Sequence, residues 1–514
     1  MGDNPRRQNA YWALACAGVR SKTSGVNAMH AAIRILGIAL SLSAAACAHR
    51  DGAPAALRID LDAPFVRYQV GDSETKDWDL RENFNGVGAG PFSIGYVPYE
   101  DGFAVVGVDL DGATSTPVCF EIGTDRSCFE VEPGTAFDIT FVAGDEVFPV
   151  RLRPETPAAR FSSDYRSANG GRISTVAPPF YELFNVAIAL TDAADANPGA
   201  VYTDTDYYTR LRAHFDMHRD HVLIEKLDEA LGESLLNYYI LKTNGLTFEF
   251  NKDGRIVPSD VYLRGGFPGS QINDLAPYIP AFQAFADETE FLPFYAANRN
   301  VFDDQIAYFE TEIDTDDMWR WLKGAFPDAR GYDSVKIAIS PLVGYVQYLL
   351  IYQEDGFREL QPHINFPYRP YDDLSPDGDR IARGTLLFTE MNHGFIEAPD
   401  ALLPAIESAF ANVSFWVDPE NDAFETYGTS VGAFDEQLNW ALLSLYAYDR
   451  MEIDDWRAYV ERIERIMSRS RGFPHFKAFN DRLISLYLRK EPVETVADII
   501  PDLVAWADDY RRAE

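Results

Sequence analysis

The apolar residues of this 514-residue chain follow two different patterns, and the change between them divides the sequence. From residue 55 to about 165 they form short runs broken by Gly, Asp and Pro, such as Phe103–Leu110 and Ala136–Val142. Runs of this kind are typical of the strands of a β-sandwich or barrel. Beyond residue 175 the apolar residues recur with a helical period. The sequence therefore predicts an α+β protein, with a β-sandwich-like module at 55–165 and a larger, mainly helical domain with a small sheet at 175–514.

Length and composition agree with two folded domains. A chain of 514 residues exceeds what one hydrophobic core usually organises, and its 46% hydrophobic content supplies enough apolar surface for folding. Acidic residues outnumber basic residues by 80 to 45, which gives a formal net charge of -35. Such a surface repels the phosphates of nucleic acids, so we expect no nucleic-acid partner.

The second domain shows its periodicity most clearly in a few segments. Helices are predicted at Phe180–Asp192, Thr205–Leu231, Ala276–Ala286, Ala401–Phe415, Phe434–Asp449, Asp455–Arg469 and Glu494–Arg512. Two runs rich in β-branched and aromatic residues predict strands at Val335–Ser340 and Tyr345–Tyr352. These strands form the small sheet of the expected helical domain.

The N-terminal region has the features of an export signal. Met29 and Arg34 precede an apolar stretch, 35–43, that is too short to span a bilayer and is followed by three alanines. We therefore predict a signal peptide at 29–46. Residues 1–28 have no signal character, and we expect them to be either untranslated or not part of the folded structure.

Cys47 directly follows the three alanines, an arrangement that resembles the lipobox of bacterial lipoproteins. The resemblance implies cleavage before Cys47, a lipid on its thiol and a short tether at 47–54. We therefore expect a lipoprotein of the bacterial cell envelope, held in the membrane by its lipid and facing the periplasm. The non-acidic Ala48 favours the outer membrane. An ordinary cleaved signal peptide and an uncleaved anchor are the alternatives.

Cys119 and Cys128 lie in two short β-like runs on either side of a Gly-Thr-Asp turn. An oxidising envelope compartment permits a bond between them. We predict a disulfide across this hairpin, and two buried free thiols are the alternative.

The strongest candidate for chemistry is the segment Leu386–Phe395. On a helix, Thr389, Glu390 and His393 share one face at positions i, i+1 and i+4. This is the spacing of an H-E-x-x-H helix, in which two histidines bind zinc and the glutamate polarises a metal-bound water. Thr389 stands at the position of the first histidine, and a hydroxyl is a poor zinc ligand. The spacing alone therefore favours a buried, hydrogen-bonded Glu/His pair with a structural role.

The wider sequence resembles a family of bacterial envelope lipoproteins of unknown function, whose signature H-E-F-x-H-x-F suggests a zincin-like metallopeptidase domain. The resemblance covers about 175–450 and includes Tyr181–Asn185, Ala189–Asp192, His218–His221, Ile339–Pro341 and Glu390–Phe395. It extends the expected fold of the second domain to a zincin-like one.

The resemblance implies Glu390 as general base, His393 as zinc ligand and Glu436 as a further ligand. Because Thr389 departs from the family pattern, the set of zinc ligands is incomplete, and either zinc or an empty site is compatible with it. We favour a degenerate site in a non-catalytic or atypical peptidase scaffold, a pseudoenzyme that binds peptide or an envelope partner. An active metal-dependent peptidase that uses Glu390 as general base is the alternative, and a purely structural lipoprotein is the third.

Three histidines and an acid are further candidates. His214, His218 and His221 would share a face of the predicted helix Thr205–Leu231, which suits a metal, although such faces are more often solvated. Glu182 interrupts an apolar helix, so it either lines the cleft or serves as an acid at the helix N-terminus.

His221 and Asn392 are predicted, with Glu182, to line the cleft. His363 and His475 are isolated in the sequence, and structural roles are favoured for both over oxyanion stabilisation.

Overall fold

The computed structural model describes residues 57–71, 75–80, 99–100, 103–109, 115–122, 125–132, 136–155, 157–265, 273–354, 356–396, 401–421 and 423–513. The predicted signal peptide, Cys47 and the tether lie outside these residues. Both helices and strands are abundant, so the predicted α+β class is confirmed. The described residues form two compact units, 57–155 and 157–513, each of which has its own core.

The first unit consists of strands. They are β1 (Leu57–Leu61), β2 (Phe65–Val70), β3 (Lys76–Asp79), β4 (Tyr99–Glu100), β5 (Phe103–Asp109), β6 (Thr116–Ile122), β7 (Asp125–Val131), β8 (Phe137–Ala143) and β9 (Glu146–Glu155). One sheet has the order β1-β8-β9-β5-β4 and the other the order β3-β2-β6-β7.

Residues from both sheets contribute to the core of this unit. In β2, Val66 and Tyr68 are buried while their neighbours Phe65 and Arg67 are exposed, as the two-residue period of a half-buried strand requires. Aromatic rings then join the sheets. Phe141 of β8 lies 5.3 Å from Phe120 of β6 and 6.3 Å from Trp78 of β3, measured between ring centroids. The two sheets therefore share one apolar core.

Cys119 of β6 and Cys128 of β7 are direct cross-strand partners. Their Sγ atoms lie 2.10 Å apart, at disulfide distance. The pair therefore joins adjacent strands of the second sheet.

The second unit is mainly helical. Its helices are α1 (Ser163–Asn169), α2 (Pro179–Ile188), α3 (Asp192–Ala196), α4 (Asp206–Phe215), α5 (Val222–Glu233), α6 (Leu236–Thr243), α7 (Ile279–Glu288), α8 (Phe291–Ala297), α9 (Arg299–Thr311), α10 (Thr315–Ala325), α11 (Pro376–Arg383), α12 (Thr385–Asn392), α13 (Leu403–Ala409), α14 (Val413–Trp416), α15 (Ala423–Tyr427), α16 (Ser430–Tyr448), α17 (Ile453–Arg465), α18 (Phe476–Tyr487) and α19 (Val496–Ala513). None of these helices has the length and the apolar character that crossing a bilayer demands.

A four-stranded sheet lies within this unit. Its strands are β10 (Ile173–Val176), β13 (Ser334–Ile339), β14 (Tyr348–Glu354) and β15 (Phe357–Ile364), in the order β10-β13-β15-β14. The first three strands of this order run parallel, and β14 is antiparallel to β15. A separate hairpin is formed by β11 (Phe248–Phe250) and β12 (Ile256–Pro258). All eight residues of β15 are buried, so the sheet forms part of the core.

The predicted helix Thr205–Leu231 is divided in the structure. Helix α4 ends at Phe215, a 3-10 turn follows at Asp216–His218, and α5 begins at Val222. The imidazole of His221 provides a reason for the new start, because its Nδ1 accepts a hydrogen bond from Leu223 N at 3.0 Å and so caps the first turn of α5. The expectation that His214, His218 and His221 share a face of one helix is therefore wrong.

Candidate functional site

Helix α12 carries Thr389 and Glu390, and His393 follows its last residue with helical backbone angles. The helix contacts β15 and α16. Asn392 fixes its C-terminal end, since its Nδ2 donates a hydrogen bond to the carbonyl oxygen of Asn439 on α16 at 3.1 Å. This places the predicted E-x-x-H segment beside the helix that carries Glu436.

His393 is held by an amide from α16. Nδ2 of Asn439 lies 3.1 Å from His393 Nε2 and 3.5 Å from Glu436 Oε2. Because an amide nitrogen donates, Nε2 accepts, and this assigns the imidazole proton to Nδ1. Burial lowers the pKa of His393. His393 is therefore a neutral imidazole, and its Nε2 lone pair already accepts a hydrogen bond from Asn439.

Glu436 is paired with a cation. It is 2% exposed and accepts hydrogen bonds from Trp440 Nε1 at 2.9 Å and from the guanidinium of Arg471, which is itself only 5% exposed. The guanidinium also lies 5.0 Å from the centroid of the Trp440 ring. A buried carboxylate in such a position requires a partner, and Arg471 supplies the positive charge.

Glu390 is partly buried and accepts no hydrogen bond from any part of the chain that the structure describes. Burial, reinforced by the negative charge of Glu436, raises its pKa to about 8, although Arg471 and Lys242 act in the opposite direction. Glu390 is therefore mostly protonated at neutral pH, and in this form it can donate a hydrogen bond.

Lys242 of α6 completes the charged cluster. It is fully buried and donates a hydrogen bond to the carbonyl oxygen of Val346. Burial lowers its pKa to about 7, and the charge of Glu390 opposes that shift. We refer to Lys242, Glu390, His393, Glu436 and Arg471 as the Glu390 cluster.

The residues predicted to bind zinc do not offer a zinc site in this arrangement. The hydroxyl of Thr389 donates to the carbonyl oxygen of Leu386 at 2.9 Å, within its own helix. Glu436 is neutralised by Arg471, and His393 Nε2 is engaged by Asn439. Across the described residues, no three His, Cys, Asp or Glu side chains lie close enough together to hold a metal ion.

Glu182, a predicted cleft residue, belongs to a different set of contacts. It lies in the first turn of α2, is 1% exposed, and accepts a hydrogen bond from the hydroxyl of Tyr207 at 2.7 Å. Burial raises its pKa to about 7, and hydrogen bonds from Tyr207 and Ser340 oppose the rise. Glu182 is therefore an acid in the first turn of its helix, and Tyr207 supplies the polar partner that its burial requires.

The remaining histidines make separate contacts. His214 Nε2 lies 2.8 Å from the carbonyl oxygen of Thr289, and His475 stacks on Phe415 with ring centroids 3.9 Å apart. His363 is fully buried, and its Nδ1 lies 3.2 Å from the hydroxyl of Tyr181. Each of these three imidazoles therefore contacts another residue of the second unit.

The sequence did not point to Arg471, Lys242 or Asn439. Asn439 could have been found, because it follows Glu436 by three residues and so shares its helix face. Arg471 and Lys242 come from distant parts of the chain, and no local pattern marks either of them.

No protein-family model matches this sequence, and comparisons with curated proteins and with solved structures found no similar protein.

Proposed function

We propose that the chain is a lipid-anchored protein of the bacterial cell envelope with a zincin-like second domain whose peptidase site has degenerated. In this proposal it acts as a non-catalytic scaffold that binds peptide or an envelope partner, and a β-sandwich-like first unit positions it. The two sheets with a shared core support that description of the first unit. The observation that carries the proposal is the buried ion pair between Glu436 and Arg471.

A zinc peptidase needs ligands with free lone pairs and an ionised glutamate as general base. In the Glu390 cluster the predicted ligand Glu436 is paired with the guanidinium of Arg471. The predicted base, Glu390, has a pKa of about 8. A protonated Glu390 donates a hydrogen bond, which suits binding of a peptide carbonyl group better than activation of water. The cluster therefore supports recognition rather than hydrolysis.

Metal content and activity test this proposal together. The full chain, purified in mild detergent, is incubated with zinc, freed of excess metal and analysed for bound metal. The variant Thr389→His is treated in the same way. The control is Thr311→His, which adds a histidine at an exposed position of α9. We expect substoichiometric zinc in the wild type and the control, and an increase only in Thr389→His. Stoichiometric zinc in the wild type, with peptidase activity that Glu390→Gln abolishes, would instead establish the active peptidase.

Anchoring is tested separately by labelling cells with a fatty acid. Cys47→Ser should remove the label and release the protein from membranes, whereas Cys16→Ser, which lies upstream of the predicted signal peptide, should leave both unchanged. A labelled Cys47→Ser variant would contradict lipidation at this residue.

A further inference from the structure

The disulfide of the first unit joins an exposed cysteine to a buried one. Cys119 is 5% exposed and lies on β6, which has a neighbouring strand on each side. Cys128 is exposed and lies on β7, at the edge of the sheet. Exchange begins when a thiolate attacks one of the two sulfur atoms, so it depends on access to that sulfur. A thiol in solution can therefore reach the bond from the side of Cys128.

The disulfide lies on the outer face of the sheet. Val118 and Phe120, the neighbours of Cys119 on β6, are fully buried in the core of the first unit. Because successive residues of a strand point to opposite faces, Cys119 points away from that core. Cys128 is its direct cross-strand partner and points the same way. The core therefore does not need to open before a thiol reaches the bond.

A guanidinium lies on the same outer face. Arg126 of β7 forms an ion pair with Glu121, its cross-strand partner on β6, at 3.5 Å. Glu121 is shared with Arg67, at 3.2 Å. The Nη2 atom of Arg126 also donates a hydrogen bond to the side chain of Gln69 on β2, and Gln69 is the cross-strand partner of Cys119. The guanidinium therefore extends across β6 on the side of the sheet to which Cys119 points.

This position of Arg126 suits a thiol exchange. Attack at Cys128 releases the sulfur of Cys119 as a thiolate, and burial disfavours a charged sulfur. A positive charge nearby favours the thiolate and makes it a better leaving group. The guanidinium of Arg126 supplies that charge at the buried side of the bond.

We propose that the disulfide between Cys119 and Cys128 is a redox switch, which a small thiol such as glutathione opens while the unit stays folded. The attacking thiolate forms a bond to Cys128 Sγ, and the bond between the two protein sulfurs breaks. Its electron pair leaves with Cys119, which then takes up a proton from water. A second thiolate attacks the sulfur of the bound thiol and displaces Cys128. In total, two thiols are oxidised to one disulfide and the protein disulfide is reduced to two thiols.

Reduction removes the covalent link that holds an edge strand. Strand β7 is the last in the order β3-β2-β6-β7, and among the described strands it pairs with β6 alone. Without the disulfide, one ladder of hydrogen bonds and the side-chain contacts remain to hold it. We expect β7 to open more readily in the reduced form, which leaves a strand edge at which another chain can pair. The switch does not rest on the proposed scaffold function, since all of its residues belong to the first unit.

Reduction of the full, folded chain by glutathione tests the proposal. The protein is incubated in detergent near neutral pH and quenched with acid, its free thiols are alkylated, and cleavage after Glu121 separates the two cysteines for mass spectrometry. We expect a rate proportional to glutathione concentration and unchanged by urea below the unfolding transition, with the mixed disulfide at Cys128. Reduction that occurs only when urea unfolds the unit would overturn the proposal, and so would a mixed disulfide at Cys119.

Variants of Arg126 test its part in the exchange. Arg126→Gln should slow reduction at least about threefold, because the leaving thiolate loses the positive charge beside it, and Arg126→Lys should restore most of the rate. A general loosening of the unit would speed reduction, so the direction of the change separates the two effects. Arg58→Gln, at an exposed position of β1 in the other sheet, is the matched control and should react as the wild type does. Reduction of Arg126→Gln at the wild-type rate or faster would refute the assignment.

Hydrogen exchange tests the opening of β7. Its amides should exchange at least about tenfold faster in the reduced protein than in the oxidised one, whereas those of β9 in the other sheet should not change. The double variant Cys119→Ser, Cys128→Ser should reproduce the reduced form whether or not glutathione is present. Equal exchange of the β7 amides in the oxidised and reduced forms would refute the switch.

Discussion

Replacing Glu182 by Gln should change how the stability of the second unit depends on pH. Glu182 is 1% exposed, and burial raises its pKa from an ordinary value of 4.5 to about 7. Between these two values the folded state keeps a proton that the unfolded chain has released. Stability is therefore lost as pH rises through the folded pKa, and the loss is complete above it. Gln retains an oxygen that can accept the hydrogen bond from Tyr207 but does not titrate.

The size of the effect follows from the shift in pKa. Between about pH 5 and pH 8, ionisation of Glu182 should lower the free energy of unfolding of the wild type by about 2.5 kcal/mol. Glu182→Gln should not show this decrease, because Gln does not ionise. Urea unfolding followed by circular dichroism reports on this unit, since the described helices lie in it. The difference in unfolding free energy between variant and wild type should thus grow by about 2.5 kcal/mol over this range. Glu310→Gln, at an exposed position of α9, is the control and should show no such trend. A difference for Glu182→Gln that does not vary with pH would refute the reasoning.

Three further predictions concern contacts between residues that the fold brings together. Replacing Cys119 and Cys128 by Ser should lower the unfolding free energy of the first unit by about 2.5 kcal/mol, because their bond closes a short loop; reduced wild type should unfold at the same temperature as the double variant. Arg471→Met should lower the free energy of unfolding by roughly 3–5 kcal/mol, since it leaves Glu436 buried without its cation, and adding Glu436→Gln should recover most of the loss in urea unfolding. Gly344→Ala should lower the free energy of unfolding of the second unit by about 1–3 kcal/mol or more in urea unfolding, because its Cβ would lie 1.8 Å from the Gly199 carbonyl oxygen. Gly232→Ala is the control: with nothing within 4 Å of its new Cβ it should be neutral or slightly stabilising, and tolerance of alanine at 344 would contradict the close backbone approach.

The sequence predicted the helices and strands whose residues follow a regular local pattern. Helix α16 and strand β13 lie within a few residues of their expected bounds, since both have regular apolar patterns. Strand β15 was not predicted because Arg358, Glu359 and His363 interrupt its apolar residues, although all three are buried. Their burial depends on partners far away in the chain, which a local pattern cannot reveal.

The same distinction applies to the candidate site. The spacing of Glu390 and His393 predicted their common position at the end of α12. The character of the site, however, depends on Arg471 and Lys242, whose charges oppose the rise in the pKa of Glu390. Neither contact has a counterpart in sequence spacing, so the identity of the Glu436 partner could come only from the tertiary structure.

The buried polar face of β15 constrains the order in which the second unit can assemble. Glu359 is fully buried and accepts hydrogen bonds from the hydroxyls of Tyr165, Tyr262 and Ser334. A carboxylate that leaves water without such donors carries a large desolvation penalty, so β15 can enter the sheet only once they are assembled around it. All three donors precede Glu359 in the chain. A polypeptide that emerges from a ribosome with its N-terminus first therefore presents these three hydroxyls before the acid that they bind, and only the amide donor of Gln361 follows it.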